Sequence, residues 1–293
     1  MTTTLVKYHT LGNDYLVADP ELGAPAPGAA ATRALCDRRT GVGADGVLYG
    51  PLPAAGPVAD TQDTFDVRVF NADGSECARS ANGLRIFARY LREHGRTRRD
   101  EITLRTPGGD VRVRLGSPVT AASTIDLGSW THHSPALAGG AELIGVPLEI
   151  EPGTEVNATA VHNGVPHLVA LVDDATAELA ARIGPAIVGY AGFAERPNAE
   201  LLTVEDRRTL RVQIWERGVG YAPASGSGAC AAACAAHRLG LTDPSVTVVM
   251  PGGTVAVEIT KDERVLLSGP SSCVGRVTLA DEFVPHLGAE GPQ

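Results

Sequence analysis

The chain has 293 residues, enough for two domains that each bury a core. A hydrophobic fraction of 43% and a charged fraction of 20% belong to a soluble globular protein, and a net charge of −9 argues against nucleic acid or an anionic membrane as partner. No apolar run approaches the roughly 18 residues of a membrane span. Met1 to Leu5 carries neither the basic nor the apolar region of a signal peptide, so a cytoplasmic protein is expected.

Alternating apolar residues predict strands at Leu5–Tyr8, Tyr15–Ala18, Gly46–Tyr49, Phe65–Asn71, Ile102–Arg105 and Val111–Leu115 in the first half. The second half has strands predicted at Thr159–His162, His167–Val172, Leu201–Val204, Thr209–Trp215, Val246–Val249, Val255–Ile259 and Arg264–Ser268. Helices are predicted at Ala31–Asp37, Asn82–Glu93, Ala175–Ile183 and Gly228–His237. Pro20–Ala31 and Pro51–Asp60 read as surface connections, Gly128–Ser134 as the handover between halves, and Pro285–Gln293 as a frayed tail. Within the last helix, Gly228–Ala236 is almost entirely Ala and Cys, with no polar face, so it is buried. The fold class is therefore α+β, with each half a curled sheet around one helix.

The halves are a duplication. Ser80-Ala81-Asn82-Gly83 and Ser225-Gly226-Ser227-Gly228 each open a helix, 145 residues apart. Pro107-Gly108-Gly109 and Pro251-Gly252-Gly253 each join two alternating strands, a hairpin signal. More loosely, His9 to Val17 resembles His162 to Val169 around a shared Gly. The repeat divides the chain into residues 1–130 and 131–293, with the end of the chain free to return to the first half.

Free N–H groups and the helix dipole make each Ser turn a place for a carboxylate. Each is equally an ordinary Ser N-cap. Glu216-Arg217 follows a strand end and suits an amino-acid zwitterion, or a plain salt bridge. Cys36, Cys77, Cys230, Cys234 and Cys273 show neither CxxC spacing nor a His–Cys cluster, which leaves free thiols and no metal site.

Phe70 to Glu76 with Cys77 to Gly83 resembles the first signature of diaminopimelate epimerases, and Trp215 to Gly220 with Gly226 to Cys230 resembles the second. Leu11 to Asp14, Asp37 to Gly46 and Arg196 to Ala199 match further family segments in order. The resemblance implies two pseudo-symmetric domains with the site in the cleft between them. It implies racemisation at an amino-acid α-carbon with no cofactor, neither pyridoxal phosphate nor metal, one cysteine thiolate removing the proton and a second thiol delivering one. By position, the α-carboxylate meets Ala81-Asn82 and Gly226-Ser227. The far end of the substrate meets Asn13, Asn71, Asn198, Glu216 and Arg217. The partner is a small amino-acid-like molecule; a homodimer is left open.

Ser80 and Ser225 stand where the family has its catalytic cysteines. A thiol costs about 2 kcal/mol to ionise at pH 7, an alcohol about 12 kcal/mol, and a helix dipole returns only about 1–2 kcal/mol of that. A serine therefore needs an adjacent base. His9, His162, His167 and Glu76 are candidates, and Cys77 is a candidate displaced thiol. Ala81 stands where the family has Gly, Tyr221-Ala222-Pro223 replaces Glu-Thr-Leu, and Val165 replaces an Asn, which points to a different or shorter substrate. The expected function is a cofactor-independent isomerase, with Ser80 and Ser225 as its catalytic positions. The alternatives are an enolate-type dehydration, tautomerisation or cyclisation, a ligand-binding homologue without chemistry, and an epimerase with two introduced Cys→Ser changes that trap a ligand.

Overall fold

Strands and helices assemble into two units of like topology. The computed structural model describes residues 3–52, 63–116, 122–133, 142–162 and 165–287. One unit takes the described residues of Met1–Ile125 and Gly269–Gln293, the other those of Asp126–Ser268. The expected boundary was residue 130. The contacts place it at Ile125, and the last segment rejoins the first unit because its strand pairs with the first strand.

The first unit contains β1 (Thr4–Thr10), β2 (Asn13–Ala18), β3 (Gly46–Leu52), β4 (Asp63–Asn71), β5 (Glu76–Cys77), β6 (Glu101–Thr106), β7 (Gly109–Leu115), the first half of β8 (Ala122–Ser129) and β18 (Ser272–Thr278). β18, β1 and β2 are antiparallel, β2–β3 and β4–β6 are parallel, and β3–β4–β5 and β6–β7–β8 are antiparallel. The second unit contains β9 (Val146–Glu151), β10 (Thr154–His162), β11 (Pro166–Leu171), β12 (Asn198–Asp206), β13 (Thr209–Glu216), β14 (Gly220–Ala222), β15 (Ser245–Met250), β16 (Gly253–Ile259) and β17 (Arg264–Pro270). It repeats the pattern: β9–β10–β11 antiparallel, β11–β12 parallel, β12–β13–β14 antiparallel, β13–β15 parallel and β15–β16–β17 antiparallel. Both expected hairpins close on their Pro-Gly pairs, Thr106 opposite Gly109 and Met250 opposite Gly253.

Each sheet holds one helix inside and one outside. Inside the first lies α2 (Ala81–Glu93), with Leu84, Ile86, Phe87, Tyr90 and Leu91 fully buried. Inside the second lies α4 (Gly226–Arg238), where Ala229 to Ala236 are all buried. On the outer faces, α1 (Ala29–Cys36) packs on Leu5, Leu16 and Val47, and α3 (Ala177–Val188) packs on Ala158, Leu168, Ala170 and Leu201. The paired strands β2–β3 and β11–β12 are thus buried on both faces, as parallel strands between helices are. That is why their sequences read as continuous apolar runs.

Some elements escaped the sequence pattern. β18 is largely exposed and shows no apolar stripe, β5 and β14 are too short to give one, and β9, where Val146, Leu148 and Ile150 alternate, was passed over. The helix expected to end at Ile183 continues through Pro185 to Val188 because Ile187 is fully buried against the sheet. Of the expected connections, residues 53–60 and Ser134 lie outside the described residues, as do Asn163, Gly164 and the tail beyond Leu287.

Where β3 passes β2, Gly46 is opposite Tyr15. A Cβ at Gly46 would lie 2.4 Å from the Phe70 carbonyl oxygen and 2.7 Å from Tyr15 Cε1. Gly46→Ala is therefore expected to destabilise the protein by about 2 kcal/mol or more, measured by urea unfolding. An unchanged midpoint would mean that both the Phe70 carbonyl and the Tyr15 ring can move aside freely.

Candidate active site

Ser80 has extended backbone angles, φ −125° and ψ 117°, and its Oγ accepts the Gly83 N–H at the first turn of α2. This is the N-cap role that Ser favours, since the cap oxygen satisfies one of the orphan N–H groups. Gly83 lets the neighbouring strand come close. A Cβ at that position would lie 2.9 Å from Leu48 Cδ2 on the neighbouring strand. The second partner of Ser80 Oγ is the Tyr15 hydroxyl, 3.1 Å away. Tyr15 is buried, and its ring lies against Gly46.

Asn82, two residues into the helix region, donates to Asn13 Oδ1 at 3.1 Å and accepts from the buried Arg85 at 2.7 Å. Asn13 in turn donates to Asp45 Oδ2 at 2.8 Å. Behind it stands an ion network: Lys7 Nζ and Arg38 Nη2 reach Asp14 at 2.8 and 2.7 Å, and Arg38 also reaches Asp45 at 2.7 Å. The structure thus brings Ser80, Ala81, Asn82 and Asn13 together at one helix mouth. Asn71 is apart from this chain of bonds. It is exposed at the end of β4 and donates to Ser75.

The second helix mouth is built the same way from different chemistry. Ser225 is buried, its φ and ψ are −139° and 127°, and its Oγ accepts the Gly228 N–H at 3.4 Å. Ser227 Oγ lies 3.3 Å from Ser225 Oγ. In place of Leu48, the strand residue against the glycine is Glu200: a Cβ at Gly228 would lie 3.0 Å from Glu200 Oε1. Glu200 is fully buried and meets His167 Nδ1 at 2.8 Å, while its Oε2 has no hydrogen-bond partner among the described residues. Burial drives the Glu200 carboxyl pKa up, His167 opposes this, and Glu216 adds to it. Gly226 is buried beside Ser225. Asn198 Oδ1 accepts the Arg217 N–H at 2.9 Å, which ties together the start of β12 and the Glu216-Arg217 turn.

The family model for diaminopimelate epimerase matches residues 5–132 and 159–274. The chain belongs to the diaminopimelate epimerase family. It is 37% identical to diaminopimelate epimerase 2 of Nostoc sp., over 94% of this chain and 95% of the relative. It is likewise 37% identical to the diaminopimelate epimerase of Desulfitobacterium hafniense, over 95% and 98%. Solved structures share the fold at lower identity. A hydroxyproline epimerase from Agrobacterium vitis with bound trans-4-hydroxy-L-proline superposes with a TM-score of 0.64 at 17% identity, covering 96% of this chain and 94% of that one. A phenazine biosynthesis protein from Bacillus anthracis superposes at 0.66 and 13%, covering 96% and 99%. Among the described residues, no helix is long and apolar enough to cross a membrane.

This member of the epimerase family places its candidate bases as follows. His9 Nδ1 accepts the Gly12 N–H. Glu76 makes a two-point ion pair with Arg68 at 2.8 Å. His162 ends β10, where its backbone pairs with Thr131. His167 is engaged with Glu200. The Cys77 thiol donates to the Arg79 carbonyl. Burial pushes the thiols of Cys36 and Cys234 up to about 12, so neither serves as a thiolate at neutral pH. The group found beside Ser80 is Tyr15, which sequence reasoning passed over as a strand residue. A signal for it existed. In the duplicated segments Tyr15-Leu16-Val17 aligns with His167-Leu168-Val169, and the two residues hold matching registers, Tyr15 opposite Gly46 and His167 opposite Asn198.

Two stability tests follow from these ion pairs. Burial pushes the Asp14 carboxyl upward, but hydrogen bonds from Arg38 and Lys7 outweigh it and bring the pKa down to about 2. A depressed folded pKa gives stability that is present above the unfolded value of about 3.9 and lost as pH falls through the folded value. Asp14→Asn should lower stability at neutral pH by about 2 kcal/mol and flatten the acid limb between about pH 4 and pH 2, read by urea unfolding across pH. His167→Ala leaves Glu200 buried without its partner. It should cost about 2 kcal/mol, with the loss growing as pH rises above the unfolded glutamate value, since a raised folded pKa forfeits stability as the carboxyl is forced to ionise. Adding Glu200→Gln should recover part of that loss. A flat pH response in His167→Ala would contradict the assignment.

Proposed function

We propose that this chain is a cofactor-independent isomerase that labilises the α-hydrogen of an amino-acid-like substrate, with Ser80 and Ser225 as hydroxyls in contact with that substrate. The observation that carries this reading is the pair of serine-capped helix mouths. Each stands at a repeat-equivalent place, and each offers free N–H groups and a helix dipole suited to a carboxylate. The substrate carboxylate would lie on Ala81-Asn82 and Gly226-Ser227. Asn13, Asn198, Glu216 and Arg217 would serve its far end, and Asn71 would contact it from the end of β4.

The substrate differs from diaminopimelate in this reading. Val165 offers no polar group where the family has an Asn, and a substrate polar atom left without its partner binds poorly. Loss of the thiols also narrows the chemistry. An isolated alcohol is too weak a base to abstract an unactivated α-proton, so Ser80 and Ser225 need neighbouring groups that carry the proton, or a substrate with an acidified C–H.

Proton NMR in D₂O with a panel of amino acids, including diaminopimelate stereoisomers and shorter analogues, tests the proposal. Loss of the α-proton signal is expected for at least one carboxylate-bearing amino acid, with diaminopimelate slower than the best substrate. Measurable binding with no exchange on any member would instead favour a ligand-binding protein. The double variant Ser80→Cys with Ser225→Cys should raise the exchange rate by about tenfold or more, because a thiol ionises far more readily than an alcohol. No gain would count against the two serines as the acid–base positions.

A further inference from the structure

We infer that Tyr15 is the proton-relay residue of the first helix mouth, a positioning residue that acts through Ser80. This rests on the isomerase reading above and names how a serine carries out a step suited to a thiol.

Three observations carry it. Tyr15 OH and Ser80 Oγ lie 3.1 Å apart, and either oxygen can donate to the other. Ser80 Oγ also accepts the Gly83 N–H, so one donor is fixed and the hydroxyl proton is left to the Tyr15 direction or to a ligand. Finally, the phenol is held in place. Its ring lies on Gly46, where any Cβ would come within 2.7 Å of Cε1, and the residue is buried. Gly46 thus leaves the space that one edge of the ring occupies while its hydroxyl reaches the cap.

The two hydrogen-bond directions are the two states of a relay. With Tyr15 as phenolate, Ser80 Oγ–H donates to it and a lone pair of Oγ faces the ligand. The substrate Cα–H bond then breaks. Its proton passes to Ser80 Oγ as the serine proton passes to the Tyr15 oxygen, and the electron pair stays on the substrate as an enolate. With Tyr15 as phenol, the hydrogen bond reverses and Ser80 Oγ–H points to the ligand. It then delivers its proton to the carbanion and takes the Tyr15 proton in exchange. Ser80 is never left as an alkoxide. A free phenol has a pKa of about 10 against about 15.7 for water as a proxy for an alcohol, so of the two oxygens the phenol is the one that can give up its proton at the lower cost. The second helix mouth holds a different group in the matching register, the His167–Glu200 pair, so the duplication has kept a titratable residue at both places while changing its type.

The test is a double-mutant cycle on α-hydrogen exchange, using the substrate that the wild-type protein exchanges fastest. Tyr15→Phe keeps the ring on Gly46 and removes only the hydroxyl. In the Ser80 protein it should lower the exchange rate by about 100-fold or more, with ligand Kd changed by less than about threefold. In the Ser80→Cys background the same change should cost less than about tenfold, because a thiol ionises without a relay. A rate within threefold of wild type for Tyr15→Phe overturns the inference. So does an equal loss in both backgrounds, which would mark Tyr15 as merely structural, and so does loss of exchange in Ser80→Cys alone. Absence of exchange by the wild-type protein across the whole panel is a separate outcome: it removes the isomerase reading and the relay with it.

Discussion

The structure depends on how closely a strand can approach the first turn of a buried helix. In both units a helix lies inside a curled sheet, and its third helical position must pass against a strand side chain. At Gly83 the neighbour is Leu48, at Gly228 it is Glu200, and a single Cβ at either place would lie within about 3 Å of it. The glycine allows the helix to be wrapped. The serine three residues earlier serves the same turn, because its side-chain oxygen takes one of the helix's orphan N–H groups, at a half-buried mouth for Ser80 and a buried one for Ser225. The small, hydroxyl-bearing turns are therefore first helix caps, and they become chemistry only through what stands next to them.

What stands next to them differs between the units. Beside Ser80 is a phenol seated on a glycine; beneath Gly228 is a buried carboxylate joined to an imidazole. A shared backbone pattern thus carries unlike titratable groups. An oxygen cap is a poor acid or base alone, since ionising an alcohol near neutral pH costs about 12 kcal/mol. Its neighbours set its chemistry, just as Arg38 and the Asp14 backbone hold Asp45, which in turn sets the position of Asn13. Membership of the diaminopimelate epimerase family fits this arrangement of site positions with altered groups upon them.

Much of the fold was legible because its signals are local. The Pro-Gly-Gly hairpins, the Ser turns and the Ala- and Cys-rich helix α4 each follow from residue spacing and side-chain size. Elements without such a signal were missed. β18 is too exposed to show an apolar face and exists because β1 offers it an unpaired edge; α3 outruns Pro185 because Ile187 has a core to enter. At the site, Ser80 and Asn82 were legible as one turn, whereas Asn13, expected at the far end of the substrate, is bonded to Asn82, Asn71 turns to Ser75, and the candidate bases His9 and Glu76 are held by other partners.

By itself the sequence determined the duplication, the α+β class, the two helix mouths and the loss of both thiols, since these are properties of identity and spacing along the chain. Only the tertiary structure decided which group accompanies each serine. Tyr15 and Ser80 are far apart in sequence, as are His167 and Glu200, and their contacts depend on parallel strand registers and on glycines that yield space. Register and close approach are set by packing across the whole sheet, and the repeat along the chain marks only that Tyr15 and His167 are equivalent, not which groups they meet.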